Sequence, residues 1–193
     1  MANTALTKVG YAQVEPNRLT AQKTREVYAQ LPADSAITKI ENGMFLVYDQ
    51  AAGKVTLPAK EGAHAQLVMN EIILTDERYQ ADSDYVMTAH PATDYQAAMD
   101  AYPRVYAMHV GDSFTTNAVN LAVKDTLPIA GDKFIVGLDG YLEPIAAVAD
   151  AEMIFEVAAA VNGKTNILPD GQTAVKFVCV KAQAQGRIVN DAS

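Results

Sequence analysis

Lys133-Phe134-Ile135-Val136-Gly137-Leu138-Asp139-Gly140-Tyr141-Leu142-Glu143-Pro144 is the stretch that decides the fold class. Two short runs of aromatic and branched residues flank Asp139-Gly140. Both central residues of a type I′ turn need φ > 0, and Asn, Asp and Gly tolerate that best, so the stretch reads as a β-hairpin. The same signal stands at Asn42-Gly43 and at Asp170-Gly171. Three such turns predict a mainly β protein: antiparallel sheets, as a sandwich or barrel built from hairpins.

Outward from these turns the strand pattern continues. Ala36–Ile40 and Met44–Tyr48 flank Asn42-Gly43, and Met44–Tyr48 is apolar at every position, as in a strand buried on both faces. Ala51-Ala52-Gly53 is a turn, Lys54–Leu57 a short strand and Ala65–Ile73 a longer one. Val105–Val110, Ser113–Thr116, Lys133–Leu138, Tyr141–Pro144, Met153–Val161 and Ala174–Lys181 follow. In Met153–Val161, Met153, Phe155, Val157 and Val161 share one face and Glu156 lies on the other. Val110-Gly111-Asp112-Ser113-Phe114 recurs as Ala130-Gly131-Asp132-Lys133-Phe134. Two copies read as one turn chemistry used twice, since repeat architectures need more.

The expected organisation is an N-terminal arm (1–33), a first β segment (34–74), an acidic excursion (75–103), a second β segment (104–182) and a polar tail (183–193), with one compact body from 34 to 182. The excursion carries the breakers His90-Pro91 and Tyr102-Pro103 and has room for one helix over Tyr95–Met99. In the arm, Thr24, Val27, Tyr28 and Leu31 fall on one face of a short helix that Thr20 caps and Leu31-Pro32 ends. An extended arm fits the same residues equally well.

Charge divides the chain. Residues 1–33 hold Lys8, Arg18, Lys23 and Arg25 against Glu15 and Glu26, a net of +2, which leaves −10 on the rest of a chain whose total is −8. Residues 71–100 set Glu71, Asp76, Glu77, Asp82, Asp84, Asp94 and Asp100 against Arg78 alone. Such acidity repels phosphate backbones, so no nucleic-acid partner is expected. No run approaches the roughly 20 apolar residues of a membrane helix, and the N-terminus lacks a signal-peptide core. Cys179 is the single cysteine, in the apolar run Val175–Val180, and reads as a small core residue in a protein made in a reducing cytosol.

Chemical motifs are weak. His64, His90 and His109 lack metal-ligand spacing, Ser113 is in no nucleophile elbow, and Cys179 has no histidine partner in the pattern. Gly137-Leu138-Asp139-Gly140 lacks the lysine and helix of a phosphate loop. Asp76, Glu77, Asp82 and Asp84 offer oxygen ligands for Ca²⁺, yet without an EF-hand glycine or closing Glu they read as a solvated loop. No cofactor, metal or catalytic residue is expected.

One resemblance supplies a function. Val9-Gly10-Tyr11-Ala12-Gln13-Val14-Glu15-Pro16-Asn17-Arg18-Leu19-Thr20-Ala21-Gln22 with Ile40-Glu41-Asn42-Gly43-Met44-Phe45 resembles auxiliary head proteins of tailed bacteriophages, the decoration, cement or head-fibre class. The blocks Gly111–Asn117 and Leu168–Phe177 resemble them too. The resemblance implies a non-enzymatic virion protein, made in the host cytoplasm, that binds the major capsid protein on the outer shell. It also implies a homo-oligomer, by preference a trimer. The arm would then be the contact, with Arg18, Lys23 and Arg25 as pairing charges and Val27, Tyr28 and Leu31 as apolar anchors. Two alternatives are a carbohydrate- or receptor-binding β-sandwich module, favoured by an exposed tyrosine cluster, and a β-rich hydrolase, favoured by two close carboxylates in a cleft.

Overall fold

The computed structural model describes residues 14, 27–28, 30–69, 102–120, 127–145, 150–159, 166–167 and 173–183. These residues form eleven strands and, among them, no helix. In chain order the strands are β1 (Val27–Tyr28), β2 (Phe45–Asp49), β3 (Lys54–Thr56), β4 (Gln66–Val68), β5 (Val105–Tyr106), β6 (Ser113–Thr116), β7 (Lys133–Val136), β8 (Leu142–Pro144), β9 (Met153–Val157), β10 (Asn166–Ile167) and β11 (Thr173–Ala182). One sheet has the order β1-β5-β4-β2-β3 and the other β10-β11-β9-β7-β8, with β6 also paired to β11. All strand pairings are antiparallel, and neither sheet closes on itself. The mainly β expectation holds, in its sandwich form.

Phenylalanine placement builds the core. All five phenylalanines of the chain, Phe45, Phe114, Phe134, Phe155 and Phe177, have no exposed surface and meet between the sheets. Phe45 is the first sheet's contribution. Its ring lies 5.0 Å from Phe155 and 5.6 Å from Phe114. Each buried ring is worth roughly 1.5–3 kcal/mol in apolar transfer, and edge-to-face geometry adds to it. β2 is buried on both faces, as its unbroken apolar run predicts. Phe45 and Val47 point into the inter-sheet core, while Leu46 and Tyr48 point into a second cluster with Val55, Val68 and Val105.

That second cluster is roofed by residues 31–44, and here the sequence reading needs correcting. Ala36–Ile40 is not a strand. Asp34 commits this segment to a turn: its carboxylate accepts the Ala36 N–H (2.8 Å) and its carbonyl the Ile37 N–H (2.9 Å). Fully buried Ile40 then caps the outer face. Asn42-Gly43 therefore makes a turn, with the Met44 N–H bonded to Glu41 O, but not a two-stranded hairpin. The Asp139-Gly140 hairpin does form, as β7–β8, and Gly140 takes φ 82°. Gly137 N–H bonds Tyr141 O, so the loop is Leu138-Asp139-Gly140, a three-residue connection with Gly140 at its left-handed position. β10, a strand the sequence reading did not include, pairs antiparallel with the start of β11, while Asp170-Gly171 itself, the acidic excursion with its Tyr95–Met99 helix, and the polar tail from residue 184 lie outside the described residues.

Of the two readings of the arm, short helix or extended chain, Val27 and Tyr28 take the extended one: they form β1, in register with Tyr106 and Val105 of β5. An isolated helix of two turns is marginal in water, whereas a β-branched residue beside an aromatic suits the edge of an existing sheet. Thus β1 and β5, from either side of the first β segment, complete the first sheet.

The two Gly-Asp-x-Phe blocks enter the second sheet in the same way. Gly111 N–H bonds Cys179 O (2.9 Å), Cys179 N–H bonds Asp112 O (2.8 Å), and the Asp112 carboxylate accepts the His109 N–H (2.8 Å). Gly131 N–H bonds Val157 O (3.0 Å), Val157 N–H bonds Asp132 O (2.9 Å), and the Asp132 carboxylate accepts the Ile129 N–H (3.0 Å). Phe114 pairs with Phe177 on one side and Phe134 with Phe155 on the other, and between them Phe177 pairs with Val157 and Cys179 with Phe155. Exchanging β6 with β7 and β11 with β9 maps every one of these pairs onto another. The second sheet has an approximate two-fold axis through its centre. Phe155-Glu156-Val157 and Phe177-Val178-Cys179 are the sequence trace of it.

Candidate interaction surface

The N-terminal segment touches both sheets at their edges. Val14 forms an antiparallel bridge with Thr116 of β6 and is buried in the inter-sheet core. β1 extends the other sheet beyond β5. Farther along, Asp34 N–H bonds Val55 O and Val55 N–H bonds Pro32 O, which covers the far edge at β3. Alternating extended residues can add to a sheet edge at little cost, because the edge supplies the backbone partners.

Of the six residues read from the sequence as contacts, the structure describes Val27, Tyr28 and Leu31. Arg18, Lys23 and Arg25 lie outside the described residues. Val27 and Tyr28 are backbone-paired to β5, and Leu31 is half-buried against the second cluster. Exposed apolar surface lies elsewhere. Ile129 is 68% exposed, Tyr102 57%, Leu138 52% and Val110 48%. Val110 stands at the Gly111 turn and Ile129 at its two-fold counterpart before Gly131; Leu138 is at the tip of the β7–β8 hairpin. Val180 joins Val110 for a local reason: Cys179 pairs with Phe155 but Lys181 with Ile154, so Val180 is the extra residue of a β-bulge and turns outward. An apolar residue at a turn tip, where local geometry asks for none, is the sequence signal that points to these positions.

Polar chemistry concentrates at three junctions. Glu41 is almost fully buried; it accepts the Tyr141 hydroxyl hydrogen and pairs with Lys39 Nζ at 2.8 Å. Burial first, then this carboxylate, holds Tyr141 well above its ordinary range. Lys60 pairs with Glu152, whose other oxygen accepts the His64 N–H at 2.9 Å. Glu152 is held below its ordinary range by the Lys60 bond first and the His64 N–H next. His64 is held below its own, chiefly by burial, with Glu152 opposing and His109 adding to the shift. Its Nδ1 is buried with no hydrogen-bond partner. At the third, burial and the neighbouring Glu61 and Asp139 hold Glu143 above its range.

A raised carboxyl beside two others is the feature a hydrolase reading would use. Here Asp139 is engaged in its own hairpin, accepting the Tyr141 N–H at 3.0 Å and the Asn120 amide at 3.4 Å. Asp139 and Glu61 both stand exposed, so the three form a surface cluster. No group of three His, Cys, Asp or Glu among the described residues is arranged to hold a metal ion. Among the described tyrosine side chains, Tyr48 and Tyr106 are buried, Tyr141 is partly buried, and Tyr102 is exposed. Burial pushes the Cys179 thiol up to about 12, as befits a core residue. No helix among the described residues is long and apolar enough to cross a membrane. Comparison of the chain with protein-family models, with curated proteins and with solved structures found no match.

Proposed function

We propose that this protein is a non-enzymatic structural component of a tailed-phage virion that binds the outer capsid shell and stabilises it. The observation that carries the reading is the edge chemistry. Val14 and β1, which belong to the net-positive first 33 residues of the sequence, pair with sheet edges of the β-sandwich at Thr116 and at β5. Edges that accept extended chain are what a shell-binding module needs, because main-chain pairing gives affinity without a pocket. The exposed apolar tips supply the rest. Ile129, Val110 and Leu138 project from turns fixed by hydrogen bonds, so little conformational entropy is lost when they are covered.

On this reading Arg18, Lys23 and Arg25 remain the pairing charges toward the major capsid protein. The apolar anchoring falls to the turn tips, because β1 and Leu31 are committed to the body. Binding a closed shell better than free subunits stabilises the shell by mass action, and several protomers acting together add avidity. Co-sedimentation with capsids of the phage that encodes the protein tests this. Saturable binding that weakens moderately with salt is expected; no co-sedimentation at any salt rejects it.

A further inference from the structure

We propose that His64 and His109 form a binding site for a zinc-like divalent ion, each supplying one imidazole from beside a strand of the first sheet. The inference stands apart from capsid attachment.

Sheet register brings the pair together where sequence spacing does not. Leu67 faces Tyr106, Val68 faces Val105, and the Met69 N–H bonds Arg104 O, all in one register. Continued past Leu67 and Tyr106, that register sets Ala65 opposite Met108 and His64 opposite His109. Ala65 and Met108 both lie in the inter-sheet core, so the alternation of faces persists up to the two histidines. Electrostatics agrees: His109 is near enough for its charge to oppose protonation of His64. Directly opposed antiparallel residues have Cβ atoms about 4.5–5.5 Å apart. Two nitrogens at about 2.0–2.1 Å from one zinc ion stand roughly 3–3.5 Å apart, a spacing that imidazoles on such a pair reach.

The chemistry of the pair suits a metal. His64 Nδ1 is buried with no hydrogen-bond partner, and a metal ion satisfies such a nitrogen. Burial favours the neutral imidazole of His64, which is the ligating form. The main chain is fixed at both residues by a carboxylate: Glu152 accepts the His64 N–H at 2.9 Å and Asp112 the His109 N–H at 2.8 Å. These carboxylates set negative charge near the pair, which Lys60, bonded to Glu152, partly offsets. Two protein ligands leave the other positions to water. Imidazole donors select zinc, nickel or copper over magnesium. The bound ion ties the segments before β4 and after β5 to each other and stabilises the folded chain by mass action.

Calorimetric titration of the full chain with ZnCl₂ near neutral pH, with MgCl₂ as control, tests this. A saturable zinc site is expected that magnesium does not fill, that His64→Ala and His109→Ala each remove, and that His90→Ala retains. No saturable site, or one that survives either of the first two substitutions, overturns the proposal. Should those variants fail to fold, NMR of the unsubstituted protein with ¹³C-labelled histidine answers the same question. Zinc that moves the assigned ring signals of His64 and His109 together supports the site. A titration in which either signal stays in place overturns it, whatever His90 does.

Discussion

The Gly140 carbonyl accepts the Phe45 backbone N–H at 2.7 Å, so the tip of the β7–β8 hairpin is bonded to the first residue of β2. Two turn signals almost a hundred residues apart thus meet, and the two sheets are joined where both turns end. Tyr141, next along, reaches Glu41 on the other side of the Asn42-Gly43 turn. This junction holds the Phe45 ring against Phe155.

Gly140→Ala is expected to destabilise the fold by about 1–3 kcal/mol, because positive φ and steric contact act together. A Cβ there would stand 2.8 Å from Phe45 O. Gly131→Ala carries a similar φ with open space around it and should cost about 1 kcal/mol. Urea denaturation of both variants separates strain from clash; equal losses would mean the junction yields freely.

The two-fold relation predicts that Asp112 and Asp132 do the same work in different surroundings. Asp112 is buried and Asp132 only half-buried. Asp112→Ala leaves the part-buried His109 N–H without its buried carboxylate and should cost about 1–3 kcal/mol, against about 0.5–1.5 for Asp132→Ala, where the bond is exposed and water can replace the oxygen. Denaturation midpoints check this, and the reverse order would refute it.

His64 gives the fold a pH dependence of defined sign. Its folded-state pKa lies below the ordinary 6.5, so below that pH the unfolded chain takes up a proton that the folded one resists. Stability is full above pH 6.5 and falls as pH drops toward the folded value. Glu152, held below 4.5, contributes stability that is present above 4.5 and lost only as pH falls through its folded value. Thermal melts should therefore show a decline below about pH 6.5 that His64→Gln removes, and a separate one below about 4.5 that it leaves in place. A melt profile unchanged by His64→Gln would place the first decline elsewhere.

What was legible in the sequence is what is local. The β7–β8 hairpin, the two-faced burial of β2 and the bounds of β6 follow from turn chemistry and periodicity within a dozen residues. The first sheet was not legible, because β1 and β5 join it from opposite sides of the 34–74 segment and each is only two residues long. Ala36–Ile40 looked like a strand because apolar residues that roof a sheet and those that extend it alternate alike. The two-fold axis was visible only as a repeated Gly-Asp-x-Phe, since the strands that complete it share little beyond Phe-x-Val and Phe-x-Cys. The exposed apolar tips were not legible, because Ile129 and Val110 differ from core residues only in lying at turn tips, and the charges Arg18, Lys23 and Arg25 lie outside the described residues.

The most direct test of the central claim is the disruption temperature of capsids heated with and without saturating protein. The account predicts a higher temperature with the protein, and a smaller rise with Ile129→Asp or Lys23→Ala, the first weakening attachment more because a desolvated apolar anchor outweighs a salt-screened rim charge. A disruption temperature that saturating protein leaves unchanged would contradict the stabilising role.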